Sequence, residues 1–592
     1  MKVKKLNIDG YSWSHLISVI VGAFFITGFF SLGETYNGLW VRFITPFTNT
    51  SDSGESHFWL AHLYYLILAT CLLGYGLCPV LAAPLMSLKE KIKNLSTRNF
   101  IIGLVCLFLA VVVVSKLGNS FVLQGYPITD DEYAAEFGGQ VLASGHVKVP
   151  VPDWFKAYPE RFLMQKDGFY TAFDWPGVQV IWALAIISGL GSIVFSMLAA
   201  LPYIAIAIII GIKFGKHWGA VSALMFICSP MAATLTITTH AHLASRAFLS
   251  LAILFYYLTT KKEKTVYWGA VGFFAGCSFF HRPFETAFLL LPLLFDVLYR
   301  LIKKEMTVKS LIVLLVGVSL PLLVFGLLNN AVTGNPLLPG RFFAKSEIKP
   351  RKHTDFLAAF KSIEVFWNRF GANTNYNLMM LMVWFLGPIG VVLVAFGAKF
   401  DRFTKILTLC VLSHLCLGLF HDNHGLHMVG PIHYSEDVVF LTIIAMHGLY
   451  LIVQRIKRTN FVDLKTFASI LVFSMVFGMG TFSAWQMKAL NEQSHIQSEV
   501  YGWIDKQDLH NAVVLAPRFY EIWSISEIPA RYAKTGCVVF EWRMTKPDYS
   551  DDVLILRDVN SEIPKLRKAF PDRAFYRMTI TDRPKGLKMA EL

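Results

Sequence analysis

Apolar runs long enough to cross a bilayer recur along almost the whole chain, a pattern that a water-soluble fold does not accommodate. They fall at about residues 15–32, 58–84, 99–116, 190–212, 217–236, 240–259, 265–281, 284–301, 309–329, 377–397, 404–420, 434–453 and 463–486. Lipid offers the backbone no hydrogen-bond partner, so each run must be a helix that satisfies its own amides. The expected fold is mainly α, a polytopic helical membrane protein with about 13 spans. Its first run follows Lys2, Lys4 and Lys5, exceeds a signal-peptide core and lacks a small-residue cleavage site; we read it as a retained span.

Charge sets the orientation. With the N-terminus cytoplasmic, alternate short connections carry Lys89, Lys91, Lys93 and Arg98; Lys213 and Lys216; Lys261, Lys262 and Lys264; Lys303, Lys304 and Lys309; Lys399, Arg402 and Lys405; and Arg455, Lys457 and Arg458. Every basic cluster then lies inside. The alternation holds when the apolar stretch 178–190 lies along the interface and fails when it counts as a span. These inner loops account for much of the net charge of +14, so that charge does not point to nucleic acid. The longer connections 118–176, 330–376 and 421–433, and the tail, face outward. Seven of the eight cysteines lie in apolar spans and Cys537 is alone in the tail, so no disulfide framework is implied.

Three units follow: a two-span N-terminal extension (1–98) with a packing or assembly role, a transmembrane module (99–487) whose first outer loop is about 118–176, and a tail (488–592). β-branched or alternating runs at 512–515, 537–542, 553–556 and 575–580, with helical stretches near 493–506 and 561–570, make the tail a small α/β domain able to bury its own core. It has no GxGxxG or GKS/GKT phosphate loop.

The acidic triplet Asp130, Asp131, Glu132 opens a helix in the first outer loop. Thr129 and Glu132 have capping-box spacing, which gives Glu132 a structural duty and leaves Asp130 and Asp131 in the first turn, where the helix dipole favours them. Tyr133, Phe137 and Val141 repeat every four residues, an apolar stripe suited to the membrane surface. Trp154, Tyr170, Trp175 and Trp182 fit either an interfacial aromatic belt or a sugar-stacking surface. His421, His424, His427 and His433 with Asp422 share one outer loop, and His240 and His242 another. Zinc is conceivable for such a set, but Gly425 and Gly430 break any single helix that would present it. Substrate hydrogen bonding or interfacial packing is the expected use, with no resident metal or other cofactor.

The segment TDDEYAAEFGGQVLASGHVKVPVP resembles the first outer loop of the C-type (GT-C fold) glycosyltransferases, in particular the bacterial branch related to protein O-mannosyltransferases and lipid A aminoarabinose transferases. The resemblance continues through PheAspTrpProGly at 173–177, HisArgPro at 281–283, AsnAlaValThrGlyAsnProLeu at 330–337 and GlyProIleHisTyrSerGlu at 430–436, covering about 99–486. It implies an integral enzyme of a bacterial inner or plasma membrane. Such an enzyme moves a sugar, with inversion, from a polyprenyl-phosphate donor to an acceptor hydroxyl on a lipid, protein or glycan. It implies Asp131 or Asp130 as the base. Substrate contacts are expected from Glu132, His240, Arg282, Arg341, His433 and Tyr434, with the tail outside the cytoplasm and membrane lipids around the spans. Arg282, at the outer end of a span, is costly to bury without an anion, and Glu285 one turn on is its alternative mate. Where relatives often read GlyProArgTyr this chain has Gly430, Pro431, Ile432, His433, Tyr434, so His433 replaces that arginine in part. A glycan polymerase or ligase, a transporter and an inactive scaffold are the competing readings.

Overall fold

A computed structural model describes residues 11–31, 53–159, 162–173, 175–340, 362–398, 401–420, 426–427, 429–459, 462–523, 539, 541–582 and 585–592. Arg341, His421 and His424 lie outside the described residues, as does the side chain of His427.

In the N-terminal part the helices are α1 (Trp13–Ser31), α2 (Ser53–Gly76), α3 (Cys78–Lys93) and α4 (Thr97–Leu117), the last extended by a π turn, Gly118–Val122. The first outer loop contributes α5 (Asp130–Ala143), β1 (Val149–Pro150), β2 (Leu163–Lys166) and β3 (Phe169–Ala172). The membrane module continues with α6 (Pro176–Ile187), α7 (Ile193–Phe214), α8 (Lys216–Ile227), α9 (Pro230–Leu235), α10 (Ala241–Thr259), α11 (Thr265–His281), α12 (Pro283–Ile302) and α13 (Val308–Thr333). Then come α14 (Ile363–Met379), α15 (Gly387–Gly397), α16 (Arg402–Gly418), the strand pair β4 (Leu426–His427) and β5 (Gly430–Pro431), α17 (Asp437–Thr459), α18 (Leu464–Val472) and α19 (Gly480–Asp505). The tail carries β6 (Ala512–Ala516), α20 (Phe519–Trp523), β7 (Val553–Arg557), α21 (Ile563–Ala569), β8 (Ala574–Asp582) and β9 (Lys585–Glu591).

All thirteen apolar runs are helical, and the protein is a mainly α, polytopic membrane protein. Among the described residues, six helices are by themselves long and apolar enough to span. Other runs are broken: the second bends by 81° between α2 and α3, and 217–236 divides into α8 and α9 before Pro230. The interfacial stretch is α6, whose 12 residues rise about 18 Å at 1.5 Å each and cannot cross about 30 Å of hydrocarbon. The α1–α2 hairpin packs on α18, where Ser469 donates to the Gly74 carbonyl at 2.6 Å.

Helix ends gather as the charge alternation expects. At one end Lys213 of α7 pairs with Asp401, Lys216 donates to Thr97 at 2.8 Å, and Arg402 bridges Asp296 and Glu305 at 2.8 and 2.7 Å. The opposite end holds the first outer loop and the tail.

Several expectations about the outer parts are refined. Helix α19 runs unbroken through 487–488, so the helix expected at 493–506 is the outward continuation of the last span. The tail sheet has order β7-β6-β8-β9, with β6 parallel to β7 and β8, and β8 antiparallel to β9. Val539, Glu541 and Trp542, in the run read as a strand, are not in it. The tail does bury a core, almost entirely its own on one sheet face and shared with the first outer loop on the other. One sheet face (Val513, Leu515, Leu554, Leu556) packs on Phe137, Val141, Tyr158 and Tyr170 of the outer loop, and the other (Val514, Met578) on Tyr133, Ile496, Val500 and Trp542. The Tyr133–Phe137–Val141 stripe thus faces the tail sheet, not the membrane, because a β-rich surface offers it a fitted apolar partner. Trp154, Tyr170, Trp175 and Trp182 are likewise buried rather than arrayed as a belt; Trp154 lies 5.0 Å from the Tyr549 ring.

Candidate active site

Helix α5 is held against α6 by glycines. A Cβ on Gly139 would fall 2.2 Å from the Trp182 Cβ, so the two helices cross at a distance that another side chain forbids. Gly177, in the PheAspTrpProGly motif, does the same for α6, since a Cβ there would meet His281 and the Phe280 carbonyl at 2.8 Å. Asp174 of that motif is outside the described residues. The motif's other residues act in packing, with Trp175 5.9 Å from the Phe284 ring.

The expected capping box forms differently. Thr129 has the extended backbone of a helix entry, but its side chain accepts no capping hydrogen bond. Glu132 reaches back one residue further: Oε2 accepts from the Ile128 amide at 3.0 Å, while Oε1 accepts from the Thr239 amide at 2.9 Å and the Thr239 hydroxyl at 2.7 Å. His240 Nε2 lies 3.4 Å from Glu132 Oε2. Glu132 is buried, and it fastens the start of α5 to the turn that starts α10.

The neighbouring acids differ. Asp130 is buried and its Oδ1 accepts from the Glu541 amide at 3.2 Å, whereas Asp131 is half-buried. Glu541 in turn lies 4.0 Å from Arg518, which follows β6, and 3.8 Å from Arg557, which ends β7. The carboxyl ends of two parallel strands therefore meet the α5 N-terminus, the edge at which open α/β sheets bind ligands. Arg543 pairs with Glu136, whose charge raises the guanidinium above its already high range.

From His240, the residue that starts α10, the chain leads to a second polar cluster. His242 Nδ1 lies 3.3 Å from both oxygens of Glu436, which also accepts from Ser435 at 2.7 Å. The His242 and His433 rings stand edge to face at 5.4 Å. His433 Nδ1 is 2.8 Å from Glu285 Oε1 and 2.9 Å from Arg282 Nη2, and Arg282 pairs with Glu285. Arg282 thus has the mate that its spacing suggested, and His433 joins it. Tyr434 points elsewhere, buried 5.2 Å from the His414 ring. Arg246 is fully buried below, its guanidinium 3.4 and 3.5 Å from the Met231 and Ala232 carbonyls.

The fold therefore joins Asp130 to the tail and Glu132 to Thr239 and His240, with Asp131 half-buried on the same turn, and it brings Arg282 and His433 together next to His242. Sequence reasoning gave no role to Glu436, Glu541 or Arg543. The adjacency of Glu436 to His433 in the 430–436 motif was the available signal for the first; the other two act across contacts that the local sequence does not display.

Residues 177–327 match the family model described as dolichyl-phosphate-mannose-protein mannosyltransferase. That stretch runs from α6 into α13 and carries His240, His242, Arg282 and Glu285. The motif resemblance and this match agree on similarity to polyprenyl-phosphate-dependent membrane glycosyltransferases. No curated protein matches the chain. Among solved structures, ArnT from Cupriavidus metallidurans bound to undecaprenyl phosphate is 11% identical, over 82% of this chain and 94% of that chain, with a TM-score of 0.46. The oligosaccharyltransferase AglB from Archaeoglobus fulgidus, in complex with an inhibitory peptide and a dolichol-phosphate, is 11% identical over 64% of this chain and 56% of that chain, with a TM-score of 0.36.

Proposed function

We propose that the protein is an inverting glycosyltransferase that moves a sugar from a polyprenyl-phosphate donor to an acceptor hydroxyl at the outer face of a bacterial inner or plasma membrane. The observation that carries this reading is Asp131. It is half-buried in the first turn of α5, between Asp130, which meets the tail, and Glu132, which meets the turn that starts α10. The burial of Asp130 favours Asp131 as the base. The basic loops at the opposite end favour an outward-facing site.

In the proposed reaction Asp131 takes the proton of the acceptor hydroxyl as its oxygen bonds to the anomeric carbon from the face opposite the phosphate. The bond from that carbon to the phosphate oxygen breaks, its electron pair leaves with the polyprenyl phosphate, and the proton passes from Asp131 to solvent. A phosphate leaves as a stable anion, so the general acid of a glycosidase is not needed. Arg282 and Arg341 are the proposed phosphate ligands. Arg282 already shares Glu285 and His433, so it acts as a positioned donor within a network and not as an isolated cation. His240 and Tyr434, buried and turned inward, are assigned to shaping the site.

The test is turnover of the full chain in lipid nanodiscs with a panel of radiolabelled polyprenyl-phosphate sugars. Release of polyprenyl phosphate is expected from the parent protein, and Asp131→Asn should lower it by about 10²–10⁴-fold with donor binding retained. Full activity in both Asp131→Asn and Asp130→Asn would overturn the mechanism.

A further inference from the structure

We propose that His242, Glu285 and His433 form a site for one divalent transition-metal ion, best suited to Zn²⁺. The three residues come from the first turn of α10, the first turn of α12 and the 3-10 turn Ile432–Tyr434, so the tertiary fold assembles them. One donor atom of each lies within 4.8 Å of the other two. Around a tetrahedral ion with bonds near 2.1 Å, such atoms stand about 3.4 Å apart, so closing the site asks each side chain to move by about 1 Å or less.

Two imidazoles and one carboxylate are the donor set of open zinc sites, which keep a fourth position for water or a substrate oxygen. Imidazole also selects against Mg²⁺ and Ca²⁺, which prefer oxygen shells. Glu436 supplies the outer support such a site needs. Its two oxygens lie 3.3 Å from His242 Nδ1 and steady the orientation of that ring. Ser435 fixes that carboxylate in turn.

The charge balance points the same way. Glu285 and Glu436 place two buried carboxyl groups beside the single guanidinium of Arg282, an acid-rich lining that suits a cation. A dication there is fit to receive an oxyanion. Arg282 contacts the same Glu285 and His433 atoms that an ion would use, so binding loosens its hold on them and turns the guanidinium toward that anion.

The experiment uses the full chain in nanodiscs, stripped with a chelator and titrated with ZnCl2, with calorimetry for stoichiometry and X-ray absorption for the ligand shell. One Zn²⁺ per chain is expected, in a nitrogen and oxygen shell that includes two imidazoles. His433→Gln should abolish it, and Glu436→Gln should weaken it about 10–100-fold. A His421→Gln/His424→Gln variant should bind as the parent does. The proposal is overturned by any of four results: no stoichiometric zinc in the parent protein, a sulfur-containing shell, zinc retained by His433→Gln, or zinc lost from the His421/His424 variant. The shell measured on the parent protein decides the matter even where a variant folds poorly.

Discussion

Replacing Glu132 by Ala should release the start of α5 from the α10 turn. The substitution strands two buried backbone amides, Ile128 and Thr239, that now donate to the carboxylate at 3.0 and 2.9 Å. The Thr239 hydroxyl, at 2.7 Å, can rotate toward another acceptor and adds less. Each stranded amide costs about 1–3 kcal/mol, and non-additivity holds the pair to about 3 kcal/mol. At 1.4 kcal/mol per factor of ten, local opening becomes about 10²-fold more frequent. Hydrogen exchange by mass spectrometry on peptides spanning 126–134 and 236–242 reads this directly, with peptides from α16 as the internal reference. Glu132→Gln keeps one acceptor oxygen but turns an NH2 toward the Ile128 amide, so its effect should be about 10-fold. If exchange at both segments rises less than about threefold in the Ala variant, Glu132 is not the fastening residue and the proposed route from α5 to the Arg282 cluster loses its first link.

Other outcomes follow from the same geometry. Gly139→Val should separate α5 from α6 and cost about 1–3 kcal/mol through overpacking against Trp182, seen as faster proteolysis of the first outer loop. Arg543→Ala removes an ion pair whose arginine side chain is 54% exposed, so it should cost less than about 1 kcal/mol and leave turnover nearly unchanged. In the tail, Asp552 raises the exposed His510 above its usual value, and the Asn511 amide, with His510, lowers Asp552. The His510 contribution is complete below the usual histidine range and is lost as pH rises through the raised value. The Asp552 contribution is complete above the usual carboxylate range and is lost as pH falls through the lowered value. Proteolytic resistance of the tail should therefore peak in the window between the two ordinary values, and His510→Gln should flatten the alkaline side of that peak.

What was legible in the sequence was what local composition encodes. Apolar length marked the helical runs, six of which among the described residues are by themselves long and apolar enough to span, because lipid admits few alternatives. Shortness and charge parity together identified α6. The acidic triplet marked the start of α5, yet Glu132 caps Ile128 and not Thr129, since Thr239, over a hundred residues on, competes for the same carboxylate. The inward turn of Tyr434 is equally invisible locally: the 3-10 turn Ile432–Tyr434 sends adjacent side chains to different neighbours. Aromatic residues in an outer loop read as a belt until the tail sheet that covers them is known.

That covering sheet bears on how the proposed base is held. Tail strands β6 and β7 bury Phe137 and Val141 of α5 on one face, while the Glu541 amide and Arg543 engage Asp130 and Glu136 of the same helix. Helix α5 is thus clamped from the membrane side by α6 and from the outer side by the tail, and it is amphipathic toward protein on both sides. A surface helix held by lipid would slide with bilayer thickness; one held between a glycine-lined crossing and a β-sheet keeps Asp131 in place whatever the lipid does. Since α19 passes without a break from the last span into the tail, the sheet's position is itself set by the membrane bundle. The tail domain therefore belongs to the structure of the candidate site, and in the proposed reaction an acceptor approaching Asp131 would meet the carboxyl edge of β6 and β7 with Arg518 and Arg557 beside it.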